Sequence, residues 1–304
     1  MPKLNDWDQR VRSFIASRLH TWPRAQAYYL ELWRHHLNAE LAGEHFVKEF
    51  TSGDDGKFSQ RVWEMHLGRH LIACGLSVTS APEGEPDFRF VHNGVVVWVE
   101  AVSPLPGPDL PMSWLKHDPA QRISEAFTVP HEAMLLRWTT AFDAKAKQGA
   151  KYRKDGVVKD TDAYVIAIDG NQLSKIPLAH GHSRLPYIVE VAMAIGPLAF
   201  KFHAESGKLE GVEQTLRFAV EKKNCSLVPT EPFFRPDYAG VSAVLGCCAP
   251  MFGEPILPVQ IAYNPLAIAP LLSGVLGRDA EEYVATLCEE NEAGREWELK
   301  RLNN

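Results

Sequence analysis

The sequence predicts an α/β protein in which a mixed β-sheet is flanked by helices and preceded by an N-terminal helical extension. Apolar residues recur every three or four positions through residues 6–50 and 58–74, which indicates amphipathic helices. Two apolar runs rich in β-branched residues, 95–102 and 163–169, are typical of strands that are buried on both faces. A long helical segment, residues 132–154, separates these runs, as in chains that alternate helices with strands.

The composition is that of an ordinary globular protein. Of its 304 residues 45% are hydrophobic, so the chain is long enough to bury a sizeable core. It contains no run of about 18 apolar residues, and its N-terminus carries charge where a secretory signal needs an apolar stretch. We therefore expect no membrane span and a cytoplasmic protein. The five cysteines form no CxxC pair, which favours free buried thiols over disulfides.

The formal net charge of −6 disfavours a protein that binds nucleic acid through an overall positive charge. It remains compatible with an enzyme whose basic residues are concentrated around one cleft. Residues 145–159 have that bias, with six lysine or arginine residues against a single aspartate. On charge alone, such a run is more often the solvated face of a helix.

Turn and strand signals order the elements before the long helix. The Thr-Ser-Gly-Asp-Asp-Gly segment at residues 51–56 breaks the first helical pattern, and Gly75 ends the second. Asn93-Gly94 is a strong signal for a two-residue hairpin. The predicted strands in this part of the chain are residues 76–79, 88–91 and 95–102.

Beyond Gly170 the local signals are weaker. Residues 188–193 fit either a strand or a short helix, and residues 214–221 suggest a helix. A late pair of strands is predicted at 241–247 and 258–263, and a charged closing helix at 278–304. The predicted organisation is an N-terminal helical extension (1–57), an α/β core (58–170) and a C-terminal elaboration of the same domain (171–304).

Three acidic residues occupy specific places in this order. Glu64 lies on the second predicted helix, Asp87 opens a strand directly after Pro86, and Glu100 lies within a valine-rich strand. A carboxylate among valines is costly to bury unless it is paired, hydrogen-bonded or bound to a metal. Because Asp87 lies on the neighbouring arm of the predicted hairpin, we expect it to meet Glu100 at one end of the sheet while Glu64 approaches from the helix.

Three carboxylates around one point suit Mg²⁺ or Mn²⁺, which prefer oxygen ligands. Such an ion polarises a phosphoryl oxygen and lowers the pKa of a bound water, as phosphodiester hydrolysis requires. Each acid also has an ordinary structural interpretation: Asp87 as a turn residue, and Glu64 as a surface acid paired with Arg61 or Arg69. Their joint occurrence in this order favours the metal site.

One face of the predicted long helix carries Arg137, Ala141, Lys145, Gln148 and Tyr152, which are separated by four, four, three and four residues. In a functional interpretation Lys145 contacts the scissile phosphate or the attacking water, while Gln148 and Tyr152 bind substrate. The alternative is a half-exposed helix whose lysine and tyrosine side chains cover apolar surface.

At these residues the sequence resembles the PD-(D/E)XK, or restriction-endonuclease-like, nuclease superfamily. The pattern of that family is a helical Glu, then Pro-Asp at a strand start, then (Asp/Glu)-x-Lys on the next strand, and in many branches a helix with Gln-x-x-x-Tyr. In this chain the pattern reads Glu64, Pro86-Asp87, Glu100-Ala101-Val102 and Gln148 to Tyr152, all within residues 58–170.

The resemblance implies a restriction-endonuclease-like core that hydrolyses DNA or RNA, with DNA the leading choice, in the presence of Mg²⁺ or Mn²⁺. Asp87, Glu100 and the carbonyl of Ala101 would ligate the metal, and Glu64 would act directly or through water. The resemblance leaves the oligomeric state open, and a dimer is compatible with it.

The motif lysine is replaced by Val102, which can neither orient a water nor stabilise a developing charge. Lys145, one turn before Gln148, resembles the lysine that some branches of the superfamily supply from the following helix. Lys151 is the second choice, although it lies away from the face of Gln148. Arg137 and Lys151 are further candidates for substrate binding.

Two other function classes compete with the nuclease. The first is a catalytically silent module on the same core that binds nucleic acid or protein. The second is a glycosidase with paired carboxylates, for which Trp98 and Trp114 are the only tryptophans between Asp87 and the long helix and give thin support. The pair His66 and His70 lacks a third ligand, so core or surface histidines are favoured there, and His36 and His182 are expected to be solvated.

Overall fold

The computed structural model describes residues 2–111, 128–174, 178–248, 259–277, 279–291 and 294–302. Within them the helices are α1 (Pro2–Arg18), α2 (Pro23–Asn38), α3 (Glu44–Phe50), α4 (Asp55–Ala73), α5 (His131–Lys154) and α6 (Tyr187–Ala192). The predicted fold class is confirmed: a large mixed sheet is flanked by helices and preceded by a helical region. None of the helices in the described part of the chain combines the length and the hydropathy that crossing a membrane requires.

Eight strands form the main sheet in the order β1-β2-β3-β4-β9-β10-β11-β12. These strands are β1 (Thr79–Ser80), β2 (Phe88–His92), β3 (Val95–Val102), β4 (Ala163–Asp169), β9 (Ala243–Cys247), β10 (Gln260–Tyr263), β11 (Glu281–Asn291) and β12 (Gly294–Arg301). The remaining strands form two separate hairpins, β5 (Ile195–Phe202) with β6 (Leu209–Leu216), and β7 (Ala219–Glu221) with β8 (Leu227–Pro229).

The centre of the sheet is built by a crossover through α5. Strands β3 and β4 are parallel neighbours, which requires a long connection between them, and α5 lies in that connection. Strand β2 pairs antiparallel with β3 through the predicted turn, where Asn93 and Gly94 both have positive φ angles of 49° and 80°. This hairpin brings the start of β2 next to the end of β3.

Helix α4 is buried because it packs between two layers. Its residues Val62 and Met65 join a core with α1, α2 and α3, whereas Trp63 and Leu67 pack on the sheet. The turn segment before it supplies the N-cap, since the side chain of Asp54 accepts a hydrogen bond from the Lys57 backbone N–H at 2.8 Å. The predicted helical extension therefore supports the helix that carries Glu64.

Helix α5 packs on the opposite face of the sheet at unusually close range. A Cβ added at Gly149 would lie 2.5 Å from the ring of Tyr164 on β4, so only glycine allows the helix to approach this closely. The Tyr164 hydroxyl also donates a hydrogen bond to the Lys145 carbonyl at 3.1 Å. This contact holds the turn of α5 that carries Lys145 against β4.

Several local predictions were wrong. Residues 278–304 contain the strands β11 and β12 in place of a closing helix, and residues 214–221 contain the end of β6 and all of β7. Both segments are rich in residues with good helix propensity, and strand pairing outweighs that weak preference. Of the strand predicted at 76–79 only Thr79 is in a strand, and the first helical stretch is divided into three helices.

Other local predictions were confirmed. The strand pair expected at 241–247 and 258–263 is present as β9 and β10, which pair antiparallel, although residue 258 lies outside the described residues. Of the two alternatives left open for residues 188–193, the helix is present, and it spans Tyr187–Ala192. All five cysteines are free, but Cys225 and Cys288 are exposed rather than buried. Residues on both sides of position 170 contribute strands to one sheet, while the proposed domain boundaries stay a prediction.

Candidate functional site

Asp87 lies at the end of the β2–β3 hairpin. The residue after it, Phe88, pairs with Val99, so Asp87 stands opposite the last residues of β3. Its Oδ2 accepts a hydrogen bond from the backbone N–H of Ala101 at 2.7 Å. The antiparallel register therefore brings Asp87 and Glu100 together as the sequence predicted.

Glu100 lies on the α5 face of β3, where it meets Lys145. The side chains of a strand alternate between faces, and Glu100 shares its face with Trp98 and Val102. The Lys145 Nζ lies 2.5 Å from Glu100 Oε1, and Glu100 is only 4% exposed. Its second carboxylate oxygen, Oε2, is buried without a hydrogen-bonding partner.

Two further residues of the predicted polar face extend this contact. Tyr152 lies near Glu100: burial and the Glu100 charge raise the pKa of the Tyr152 hydroxyl to about 12. Gln148 lies on the same stretch of α5, one helical turn before Tyr152. One strip of α5 thus contacts Glu100 through Lys145 and places Tyr152 near it.

Glu64 approaches Asp87 from the other face of the sheet, on α4. Its Oε1 accepts a hydrogen bond from Gln60 Nε2 at 2.9 Å, and its Oε2 is ion-paired with Arg61. Both interpretations of Glu64 thus hold in part: it pairs with Arg61, but it is 4% exposed and lies beside Asp87 rather than on the surface.

Gln60 is a site residue that the sequence analysis missed. Its Nε2 also donates to the Ala101 carbonyl at 3.2 Å, and its Oε1 accepts from the Ser103 backbone N–H at 2.8 Å. It therefore links α4 to the end of β3 and orients Glu64. The available signal was its position one helical turn before Glu64 on the same face.

The three acids form a row with Asp87 in the middle. The charge of Asp87 acts on both Glu64 and Glu100, and these two residues belong to elements that meet on opposite faces of the sheet, α4 on one face and α5 on the other. Within the described residues, no three Asp, Glu, His or Cys side chains gather at the spacing of a complete metal site. The expected convergence of three carboxylates on one point is thus replaced by two neighbouring pairs that share Asp87.

Burial raises the pKa values of all three acids. Burial raises the pKa of Glu64 to about 8 and that of Glu100 to about 7, and in both cases the Asp87 charge adds to the effect. Burial likewise raises the pKa of Asp87, against the Ala101 hydrogen bond and Lys145 that lower it. Full ionisation of all three carboxyl groups is therefore unfavourable at neutral pH in the metal-free protein.

These shifts predict how the stability of the metal-free protein depends on pH. The folded state holds the protons of Glu64 and Glu100 more tightly than the unfolded chain does, where their pKa is 4.5. This contribution to stability is complete below that pH and is lost as pH rises through the folded-state values. We expect the free energy of unfolding in EDTA to fall by on the order of 1–3 kcal/mol between about pH 5 and pH 8.

Urea unfolding at a series of pH values measures this decline. Glu64→Gln should flatten it, because the neutral amide removes one of the titrating groups. The exposed Glu205→Gln is the matched control and should follow the parent curve. A parent protein whose stability rises over this pH range would contradict the prediction.

The residues present fit an oxygen-bound divalent cation at Asp87 and Glu100. The unpartnered Glu100 Oε2 is a buried acceptor that a cation would satisfy. Carboxylate and carbonyl oxygens are the ligands that Mg²⁺ and Mn²⁺ prefer. A positive charge among acids with raised pKa values would also relieve their repulsion. Asp87, Glu100 and the Ala101 carbonyl would hold the ion, with Glu64 acting through water.

The remaining predicted site residues lie outside this cluster. Arg137 donates a hydrogen bond to the Leu105 carbonyl at 2.9 Å, two helical turns before Lys145. Lys151 is exposed, and none of its contacts within the described part of the chain joins it to the acids. The choice of Lys145 over Lys151 therefore agrees with the geometry, whereas Arg137 is placed beside the loop that follows β3.

The histidine predictions were partly wrong. His66 is a core residue as expected, with 5% exposure, and it contacts the Tyr28 hydroxyl at 3.2 Å. His36 was expected to be solvated, yet it is 3% exposed because α2 turns it inward against Phe46. His182 is exposed as predicted.

Comparison with models of known protein families, with curated proteins and with solved structures found no match to this chain.

Proposed function

We propose that this protein is a Mg²⁺- or Mn²⁺-dependent nuclease of the restriction-endonuclease-like kind, and that it hydrolyses phosphodiester bonds of DNA or RNA. The observation that carries the proposal is the contact between Lys145 on α5 and Glu100 on β3, beside Asp87. This contact supplies an ammonium group at the position where the Val102 side chain cannot.

The proposed reaction joins a water oxygen to phosphorus and breaks one phosphorus–oxygen ester bond, and the leaving oxygen takes up a proton. When bound, the divalent ion would polarise the phosphoryl group and lower the pKa of the attacking water. Lys145 would stabilise the charge that develops on the phosphoryl oxygens. Tyr152 and Gln148 would bind the substrate beside Lys145, and Gln60 would hold Glu64.

A catalytically silent module is the second candidate, and one observation favours it. Each outer acid already has a cationic partner, Arg61 for Glu64 and Lys145 for Glu100. Two ion pairs around Asp87 would also suit a protein that binds nucleic acid or protein without a metal. The nuclease is preferred because the two ion pairs leave Glu100 Oε2 without a hydrogen-bonding partner. They also leave the pKa of Asp87 raised by burial.

A cleavage assay separates the two candidates. The purified protein is incubated with a mixture of double-stranded DNA, single-stranded DNA and RNA in Mg²⁺, Mn²⁺ or EDTA, beside Glu100→Ala. We expect cleavage in Mg²⁺ or Mn²⁺, none in EDTA and none by the variant. Absence of cleavage by the parent on all substrates, with no Mn²⁺ binding by calorimetry, would contradict the nuclease and favour the silent module.

A further inference from the structure

A cavity of about 400 Å³ opens beside Asp87 and Glu64, between the helical extension and residues 80–85. This volume lies within the range of small-ligand pockets, roughly 300–1,000 Å³. Its walls include His36, Phe46, Arg61 and Phe88. Glu100 and Lys145 lie beyond Asp87 on the other side of the row. The cavity is thus an additional space next to the proposed cleavage site.

His36 is the residue that indicates a ligand in this cavity. It is 3% exposed, and neither of its ring nitrogens makes a hydrogen bond of normal geometry, although the Leu41 backbone lies close to the ring. Burial and the neighbouring Arg61 lower its pKa to about 3, so it is a neutral imidazole with one donor and one acceptor. Leaving both unsatisfied inside a protein is costly, and a ligand in the cavity could satisfy them.

The walls of the cavity suit a flat ring. Phe46 and Phe88 contribute aromatic side chains to the lining, and the His36 ring stacks on Phe46 with 4.5 Å between centroids. Aromatic walls with a few placed polar groups are what proteins use to hold an unstacked nucleobase.

The charge of the side chains that line the cavity disfavours a phosphate. Arg61 is the one lysine or arginine among the described lining residues, and it is already paired with Glu49 and Glu64. Glu44, Glu83 and Glu85 also line the cavity and add negative charge. A neutral group that carries N–H donors is favoured over an anion, because carboxylates accept hydrogen bonds from N–H groups.

We propose that this cavity receives a nucleobase of the substrate, one with an exocyclic amine, next to the phosphodiester held at Asp87. The inference rests on the proposed nuclease function and narrows its substrate. A base can enter only after it leaves its stack, so the substrate class is a nucleic acid with an unpaired nucleotide beside the cut.

Gly43 allows the cavity to be filled without touching the acids. It lines the cavity, its backbone is extended with φ −125° and ψ 171°, and a Cβ added there meets no atom within 4 Å. Gly43→Phe should therefore fold normally and occupy the space of the base. Gly211→Phe is the matched control, because Gly211 on β6 is equally open but lies outside the cavity.

Cleavage of single-stranded oligonucleotides tests the proposal. One series is intact, and the other carries a single abasic site moved through the positions around the cut. We expect one abasic position to slow cleavage by the parent about 10- to 100-fold, the range that the loss of one stacked base gives. Gly43→Phe should show the same loss on the intact strand and no further loss on that abasic strand, whereas Gly211→Phe should behave like the parent.

A binding measurement in Ca²⁺ distinguishes failure of this inference from failure of the proposed function. Fluorescence of a strand containing 2-aminopurine should change when the parent binds it, but not with Gly43→Phe. If the fluorescence changes with the parent alone but no strand is cleaved, the nucleobase pocket is supported and the proposed nuclease activity is contradicted. Cleavage that is insensitive to abasic sites and to Gly43→Phe would overturn the pocket alone. The pocket proposal would also be overturned if the parent bound one more Mn²⁺ ion per chain than Gly43→Phe does, since the cavity would then be a metal site.

Discussion

Replacing Lys145 with methionine is expected to slow Mn²⁺-dependent cleavage by about 10²- to 10³-fold, the usual cost of removing one group that stabilises developing charge. Methionine keeps the length and the apolar part of the side chain and removes the ammonium group that lies 2.5 Å from Glu100. Mn²⁺ binding, measured by calorimetry, should persist, because the acids remain. The loss should thus appear in kcat rather than in metal affinity.

Two further variants make this prediction specific to the position of the charge. Lys147→Met is the control, since Lys147 is exposed on the same helix and pairs with Asp143, and its cleavage rate should match the parent. Adding Val102→Lys to Lys145→Met should restore part of the activity, because residue 102 shares the face of Glu100 on β3. Equal losses in Lys145→Met and Lys147→Met would show that Lys145 has no special role.

Replacing Asp87 with asparagine is expected to abolish Mn²⁺ binding and reduce cleavage by at least about 10³-fold, which corresponds to several kcal/mol of lost metal-ion catalysis. The metal-free variant should nevertheless be at least as stable as the parent. Asparagine can still accept the Ala101 N–H, and its neutral side chain removes the charge that raises the pKa values of Glu64 and Glu100.

Thermal unfolding with and without Mn²⁺ measures both effects together. The parent should gain stability in Mn²⁺, by about 2.7 kcal/mol at 100 times the dissociation constant, and Asp87→Asn should gain none. Asp237→Asn, at an exposed acid that pairs with Arg235, should keep the full gain. A large loss of stability of Asp87→Asn in EDTA would instead identify Asp87 as a structural residue.

The residues of the candidate site were predictable where the reason for them is local. Glu100 is identified by its cost inside a valine-rich strand, and Asp87 by its place in a hairpin that Asn93-Gly94 specifies. The helical spacing of Lys145, Gln148 and Tyr152 was sufficient to place them on one face. In contrast, Gln60 and His36 have no unusual local sequence, and their roles follow only from what packs against them.

The secondary structure beyond Gly170 likewise depends on contacts that the local sequence does not show. The pattern of Trp297 and Leu299 between exposed Glu296, Glu298 and Lys300 is that of a strand, but the acidic and helix-favouring residues before it suggested a helix. Pairing of β11 with β12, the next strand of the chain, and with β10, which lies well before it in the sequence, decides its conformation. Propensity differences of less than about 1 kcal/mol per residue cannot outweigh a full set of strand hydrogen bonds and side-chain contacts.

The sequence by itself determined the fold class, the β2–β3 hairpin and the polar face of α5, because each depends on residue spacing or on turn chemistry between neighbours. Only the tertiary structure decided that Glu64 and Glu100 flank Asp87 from opposite faces of the sheet, and that a cavity lies beside them. The physical reason is that spacing fixes which residues share a face of one element. The packing of α4 and α5 on the sheet sets the distances between faces.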